Sequence, residues 1–305
     1  MTEQKTISAL ILPISTNTWK EEGCRANVTH PLETASPSLR FDRELFLEYT
    51  AYLRSCGVDT LILNLGDAVK YESHPEVSLP DALSREELLK EVTRLREMGF
   101  EVIPMLDFSA AHDVWLGEYA YMLSTTPYYR VCADLIDELI DLLEPKYFHV
   151  GMGDESYELQ KDFQYAATRR DDIWYHDLYC FTSAIRHDGA TVMLFADKML
   201  ENPVEGDKKT PYNFVMCNRY DGKLSASRLA LYRTLVKNYV QMPTYVGDAD
   251  EQSIRLWKDY CEKTIPEDKR LGFAVEAHGA VTAECREDLY ALADVVRAIN
   301  AQKGE

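Results

Sequence analysis

Positive charge is what this 305-residue sequence most lacks: 33 Lys and Arg stand against 51 Asp and Glu, a net charge of −18. A chain so acidic repels polyphosphate and anionic lipid surfaces, so nucleic acid and membrane are both excluded as expected partners. No apolar run approaches the length of a membrane span. The opening MTEQKTISALILPIS has only a short apolar stretch and no basic leader, so no secretory signal is expected. The seven cysteines (Cys24, Cys56, Cys132, Cys180, Cys217, Cys261, Cys285) include no CxxC pair. That argues against a cysteine-built zinc site and for reduced thiols in a cytoplasmic protein. Compact ligand spacings such as HExxH are also missing, so neither a metal nor another cofactor is expected. Nothing in the sequence decides the oligomeric state, and a homo-oligomer stays open.

What is present suits one large folded unit. Hydrophobic residues make up 46% and charged residues 28%, enough for a sizeable core. Apolar runs at 7–14, 58–65, 100–108, 147–150, 191–195, 213–217, 244–246 and 271–275 predict eight strands. Between them lie segments of helical period. Asp42 is placed to cap the first helix and Gly57 to stop it. Ser84 with Glu87 reads as a capping box for the second, closed by Gly99, and Asp248 with Glu251 as another before strand seven's helix. Thr126 and Pro127 open the helix before strand four. Eight strands alternating with helices, with no linker, predict α/β architecture: a single (β/α)8 TIM barrel over 1–305.

In such a barrel the working face is the C-terminal end of the strands, and polar residues recur there. Asp67, Tyr71, Glu72 and His74 follow strand two; Asp107, His112, Asp113 and Trp115 follow strand three. His149 lies within strand four, and Asp154 and Glu155 come just after the strand. Asp197 follows strand five, Tyr220 with Arg219 strand six, and Glu276 with His278 strand eight. The loop after strand one holds Trp19, Cys24 and His30. Adjacent carboxylates that share partial desolvation can be split into one general acid and one ionised group. Trp115, with Tyr71 and Tyr119, offers aromatic surface to a sugar ring.

These segments resemble glycoside hydrolase family 20, the β-N-acetylhexosaminidases. HVGMGDE (149–155) is similar to the family's H-x-G-G-D-E. NLGD (64–67) is similar to its H-L-T-D, IPMLDFSAAH (103–112) to I-P-E-I-D-M-P-G-H, and LFADKM (194–199) to W-D-D/E-M. The resemblance covers roughly residues 58–200. The sequence departs from the pattern at several points. Aligning His149 leaves the Asp-Glu pair one residue late, with Gly153 and Asp154 at the motif positions. His112 is also one residue late, strand one has no Arg, and the W-x-E after strand eight is absent.

The resemblance implies a glycosidase acting on a small glycoside or oligosaccharide, with a carbohydrate as the partner. An N-acetylhexosaminide cleaved from a chain end, with substrate assistance, is one expected case. Glu155 would then be the general acid and Asp154 would orient a 2-acetamido group. The one-residue shift keeps open that Asp154 is itself the acid. Asp67, Tyr71, Glu72, His74, Asp107, His112, Trp115, His149, Asp197, Tyr220 and Glu276 are the expected sugar contacts. A metal-dependent sugar isomerase, epimerase or lyase is the alternative, drawing on His74, His112, His149, His278, Asp107, Asp197 and Glu276. A barrel that binds carbohydrate without turning it over is a third.

Overall fold

The computed structural model describes residues 7–18, 20, 32, 34–187, 189–220, 226–235 and 237–301. Trp19, Cys24 and His30 lie outside the described residues. The first five strands are β1 (Ile7–Pro13), β2 (Thr60–Asn64), β3 (Glu101–Met105), β4 (Tyr147–His149) and β5 (Thr191–Phe195). β6 runs in two segments, Val215–Cys217 and Arg219–Tyr220, and β7 in two, Val240–Gln241 and Thr244–Tyr245; β8 is Gly272–Glu276. The two segments of β6 meet those of β7 in one register, Val215 against Val240 and Arg219 against Thr244. Asn218 and Pro243 therefore interrupt a single strand pair. A proline cannot donate to the ladder, which accounts for the break in β7.

Each strand pairs parallel with the next, and β8 pairs with both β7 and β1. The sheet thus closes into an eight-stranded barrel, as the alternation of strands and helices predicts. Crossovers are made by α1 (Arg43–Ser55), α2 (Arg85–Glu97), α3 (Thr126–Leu143), α4 (Tyr157–Gln160) with α5 (Asp172–His187), α6 (Asp197–Glu201) with α7 (Pro203–Lys209), α8 (Ala226–Leu235) and α9 (Glu251–Thr264). α10 (Arg286–Ala301) follows β8 and packs on α1 and α9.

Local signals set the helix ends. Asp42 accepts the Leu45 N–H at 3.0 Å, and Ser84 and Glu87 form a reciprocal capping box. Gly57 and Gly99 close α1 and α2 with φ of 81° and 88°, the left-handed conformation a glycine adopts without strain. The cap of α9 differs from expectation: Asp250, not Asp248, accepts from Gln252 and Ser253. The six described cysteines are all unpaired thiols, and no described helix is long and apolar enough to cross a membrane.

The pleat divides the core in two. Ala9, Ile11, Ile62, Ile103, Met105, Met193, Phe195, Val215, Cys217 and Ala274 fill the barrel interior. Their strand neighbours, such as Leu10, Leu63, Val102, Phe148, Leu194, Met216 and Val275, pack outward against the helices. Alternating faces of one strand thus supply two separate apolar layers.

Candidate active site

That alternation also builds the site. Stepping two residues at a time past the interior set, the inward positions become Asn64, Asp107, Asp197, Arg219 and Glu276. His149 takes the same place on β4, two residues beyond Tyr147, which packs on the interior cluster. A polar layer therefore sits on the apolar plug at the C-terminal end of the strands.

A chain of ion pairs crosses this layer. Asp107 Oδ1 accepts from the Ser109 N–H at 2.9 Å and hydroxyl at 2.6 Å. Its Oδ2 lies 2.9 Å from His112 Nδ1, and His112 Nε2 lies 3.4 Å from Asp154 Oδ2. Arg219 donates from Nη1 to Asp154 Oδ2 at 2.6 Å and from Nε to Asp197 Oδ2 at 2.9 Å. Its guanidinium stacks 4.5 Å from the Phe195 ring centroid.

Two glycines make room for this. A β-carbon on Gly151 would lie 1.9 Å from Asp107 Oδ1, and one on Gly153 would lie 2.6 Å from Arg219 Nη2. Gly151 also turns the chain with φ of 67°. Gly153 has no such φ and is required by the close approach of Arg219. The second left-handed residue of the turn is Met152, φ 66°.

Burial and pairing set the charges. Burial works against charge on His112, but its bond to Asp107 and the charges of Asp107 and Asp154 win, and its pKa rises. Burial likewise raises Asp107, yet His112 and Ser109 outweigh it and hold the carboxyl below its ordinary range. Arg219 stays protonated because Asp197 and Asp154 overcome its desolvation. His149 goes the other way: burial pushes it down to about 3, so the ring is neutral. Its Nδ1 accepts the Gly151 N–H at 3.0 Å, which places the ring proton on Nε2.

The layer opens into a cavity of about 60 Å³ lined by Pro13, Ser15, Asn64, Asp107, His112 and Glu276. A larger one of about 530 Å³, between the β7 and β8 loops and α10, adjoins it through Glu276, Ala277 and His278. Among the described residues, Asn64 Oδ1, His149 Nε2 and Glu276 Oε2 are buried without a hydrogen-bond partner. Burial raises Glu276, offset in part by His278, Arg219 and His112.

Glu155 does not share this space. Its side chain is 1% exposed and pairs with Arg169 at 2.7 Å, and it accepts the Ala110 and Arg169 N–H groups at 3.0 and 3.2 Å. Arg169 in turn bonds Asp177 at 2.5 Å, the Phe108 carbonyl at 2.9 Å and the Tyr128 hydroxyl at 2.7 Å. Residues adjacent in a non-helical segment project to different sides. Asp154 meets the axis and Glu155 the packing between β3, α3 and α5.

Other expected contacts also sit elsewhere. Asp67 is buried behind the β1 loop, accepting from Ser15 and Asn17 at 2.6 and 2.7 Å; burial lifts its pKa to about 6. Tyr71 is buried and donates to the Gly66 carbonyl, so it offers no platform. Trp115 is 2% exposed and donates to the Asp107 carbonyl, bracing the relay from behind. Tyr220 has outward parity and stacks on Trp257. Glu72 pairs with Arg85 on the surface, and His74 with Glu76 and Asp134 of α3. Of the metal-ligand set, His74 is thus outside the mouth. Among the described residues, no three His, Cys, Asp or Glu form a group able to hold a metal ion. Tyr220 is the expected sugar contact after strand six, yet period-two alternation from Val215 and Cys217 puts Arg219, its neighbour, on the inward face.

No protein-family model matches the chain, and no curated protein does. Solved structures do match. A glycoside hydrolase family 20 β-N-acetylglucosaminidase aligns at TM-score 0.64 and 14% identity, over 96% of this chain and 69% of that one. Dispersin B aligns at 0.62 and 14%, over 96% and 99%. The β-N-acetylhexosaminidase of Bacteroides fragilis aligns at 0.62 and 12%, over 96% and 65%. The chain shares its TIM-barrel fold with these structures, at a sequence far diverged from theirs.

Proposed function

We propose that the chain is a glycoside hydrolase that seats a sugar at the barrel mouth and cleaves its glycosidic bond through Asp154. The relay Asp107–His112–Asp154 carries this reading. It supplies a proton store beside a carboxyl that is 22% exposed at the mouth. His112 Nε2 faces Asp154 Oδ2 at 3.4 Å, near enough for a proton to pass from one to the other. Asp154 delivers that proton to the leaving oxygen, and Arg219 stabilises the carboxylate that remains. A water's oxygen ends up bonded to the anomeric carbon in place of the leaving oxygen, and the proton that water gives up returns to the His112–Asp154 pair. Asp197, on the other arm of Arg219, is the second carboxylate near the electron-poor anomeric centre. Asn64, His149 and Glu276 offer two acceptors and one donor, a mixture that sugar hydroxyls satisfy because each both donates and accepts.

The acid is thereby assigned to Asp154, at the motif position, and Glu155 to the scaffold that fixes it. N-acetylhexosaminides, the substrate class in the names of two of the similar solved structures, are the first glycosides to test. The decisive experiment compares a nitrophenyl glycoside with a disaccharide carrying the same sugar. The nitrophenolate leaves with little protonation, so Asp154→Asn should spare it relative to the disaccharide. Equal loss on both, or selective sparing in Glu155→Gln, would take the acid role from Asp154.

A further inference from the structure

Behind the relay loop lies another cavity, of about 190 Å³, lined by Ala110, Asp113, Tyr121, Gln160, Phe163 and Tyr165 among others. Residues 107–113 form the partition. Asp107 and His112 line the mouth, while Ala110 and Asp113 line this second space. Two polar side chains in its lining are buried, and one of them, Gln160, has an unsatisfied atom. Gln160 is 1% exposed; its Oε1 accepts the Ala167 N–H at 2.8 Å, and its Nε2 has no partner among the described residues. Asp113 is 5% exposed; its carboxyl does not cap the helical turn it precedes and accepts from its own N–H. Burial raises its pKa well above the ordinary range against the pull of Arg169, with Glu155 adding to the rise, which favours the protonated carboxyl. At the rim Tyr121 and Tyr165, 41% and 53% exposed, meet edge to face at 5.8 Å.

We propose that this cavity is a second carbohydrate site taking one neutral pyranose unit, separate from the mouth. Each feature selects for that chemistry. The unsatisfied amide N–H of Gln160 requires an acceptor, and the Asp113 carboxyl lining the same space offers oxygen atoms to hydroxyl donors, so a ligand that both donates and accepts, as hydroxyls do, meets both. The alanines, Phe163 and the tyrosine rim suit the C–H face of a sugar ring. The volume is below the roughly 300–1,000 Å³ of drug-sized sites, which limits the occupant to a single ring. An anion would be repelled by a chain of net charge −18. A cation would satisfy Asp113 and leave the amide unanswered. The proposal rests on carbohydrate as the ligand class, not on hydrolysis.

The test is protein-observed NMR with N-acetylglucosamine, glucose, glucosamine and glucuronate. Cavity reporters are the amides of Ala110, Gly117, Ala120 and Ala167; mouth reporters are Asn64, Gly151 and Ala277. A neutral sugar should shift the cavity reporters saturably. Tyr165→Ala, an exposed change that leaves the core intact, should weaken this about tenfold, roughly 1.4 kcal/mol. Asp113→Asn and Gln160→Leu should weaken it too, with nitrophenyl glycoside turnover unchanged in Tyr165→Ala. Silent cavity reporters with both neutral sugars, preference for glucosamine or glucuronate, or full affinity in Tyr165→Ala would each overturn it. Cavity shifts without any turnover would uphold this site and remove the hydrolase reading; turnover with silent cavity reporters would do the reverse.

Discussion

Two arginine-centred triads flank the end of β4, and they share one plan. Arg219 bridges Asp154 and Asp197; Arg169 bridges Glu155 and Asp177. What separates them is water. The Arg219 triad has side-chain exposures of 11%, 22% and 20%, while those of the Arg169 triad are 0%, 1% and 0%. A buried triad is a staple: its charges cannot be uncovered without a large penalty, and it locks the loops from β3 and β4 to α3 and α5. A triad that still meets solvent can exchange a proton and admit a substrate. The same residue types therefore hold one side of the strand and work on the other.

The largest effect that would separate the two is on turnover. Asp154→Asn should lower disaccharide cleavage by a factor on the order of 10² to 10⁴ and move the unfolding midpoint little. Its partner Arg219 keeps Asp197, and the amide fits the same space. A variant that folds normally and retains full turnover would move the chemistry away from this triad.

Next is stability. Arg169→Met leaves Glu155 and Asp177 buried without their cation and should cost about 3–5 kcal/mol in urea unfolding. Arg219→Met should cost less, because Asp154 and Asp197 keep a fifth of their surface in water. Equal losses would mean that solvent exposure does not distinguish the triads.

Glu155→Gln sharpens the contrast within one residue pair. Losing a charged hydrogen bond to Arg169 should cost about 1.5–3 kcal/mol of stability. Turnover per folded molecule should fall far less than in Asp154→Asn, with no difference between good and poor leaving groups. Activity titrated against folded fraction checks it.

Much of this was readable in the sequence, for identifiable reasons. Strand and helix alternation, the caps at Asp42 and Ser84, and the placement of Asp107, His112, Asp154 and Asp197 follow from local pattern and from the working face of the fold. Reading neighbours along the chain as neighbours in space is where legibility ended. Glu155 is next to Asp154 and faces away; Tyr220 is next to Arg219 and packs on Trp257. Parity counted from the strand recovers Arg219. Arg169 gives no such signal, since it lies 14 residues past Glu155 in a loop between α4 and α5. Whether Tyr71 and Trp115 present or bury their rings also depends on packing from distant segments.

The smallest effect concerns pH, and it tests whether the open triad holds a proton as proposed. His112 has a folded pKa above its ordinary 6.5, so between those two values the folded chain keeps a proton that the unfolded chain has released. Its stabilising contribution is full below about 6.5 and is lost as pH rises through the higher folded value. Asp107, held below its ordinary 3.8, contributes above that value and loses its share as pH falls through the depressed one. Asp67, raised to about 6, opposes Asp107: its share is full below 3.8 and fades as pH climbs from 3.8 to 6. Above pH 6.5 the His112 slope is therefore free of both carboxylates. It amounts to at most about 1.4 kcal/mol per pH unit, one proton's worth. Buried carboxyls raised above their ordinary range, Asp113 and Glu276 among them, slope the same way. The His112 share is therefore the difference between the natural chain and His112→Gln in urea unfolding between pH 6 and 9, where the variant's decline should be shallower. The alkaline limb of turnover should shift in the same variant, because the proton store for Asp154 has been removed. An unchanged slope and an unchanged limb together would mean that His112 carries no proton at the mouth, and the relay would reduce to a static brace like the buried triad behind it.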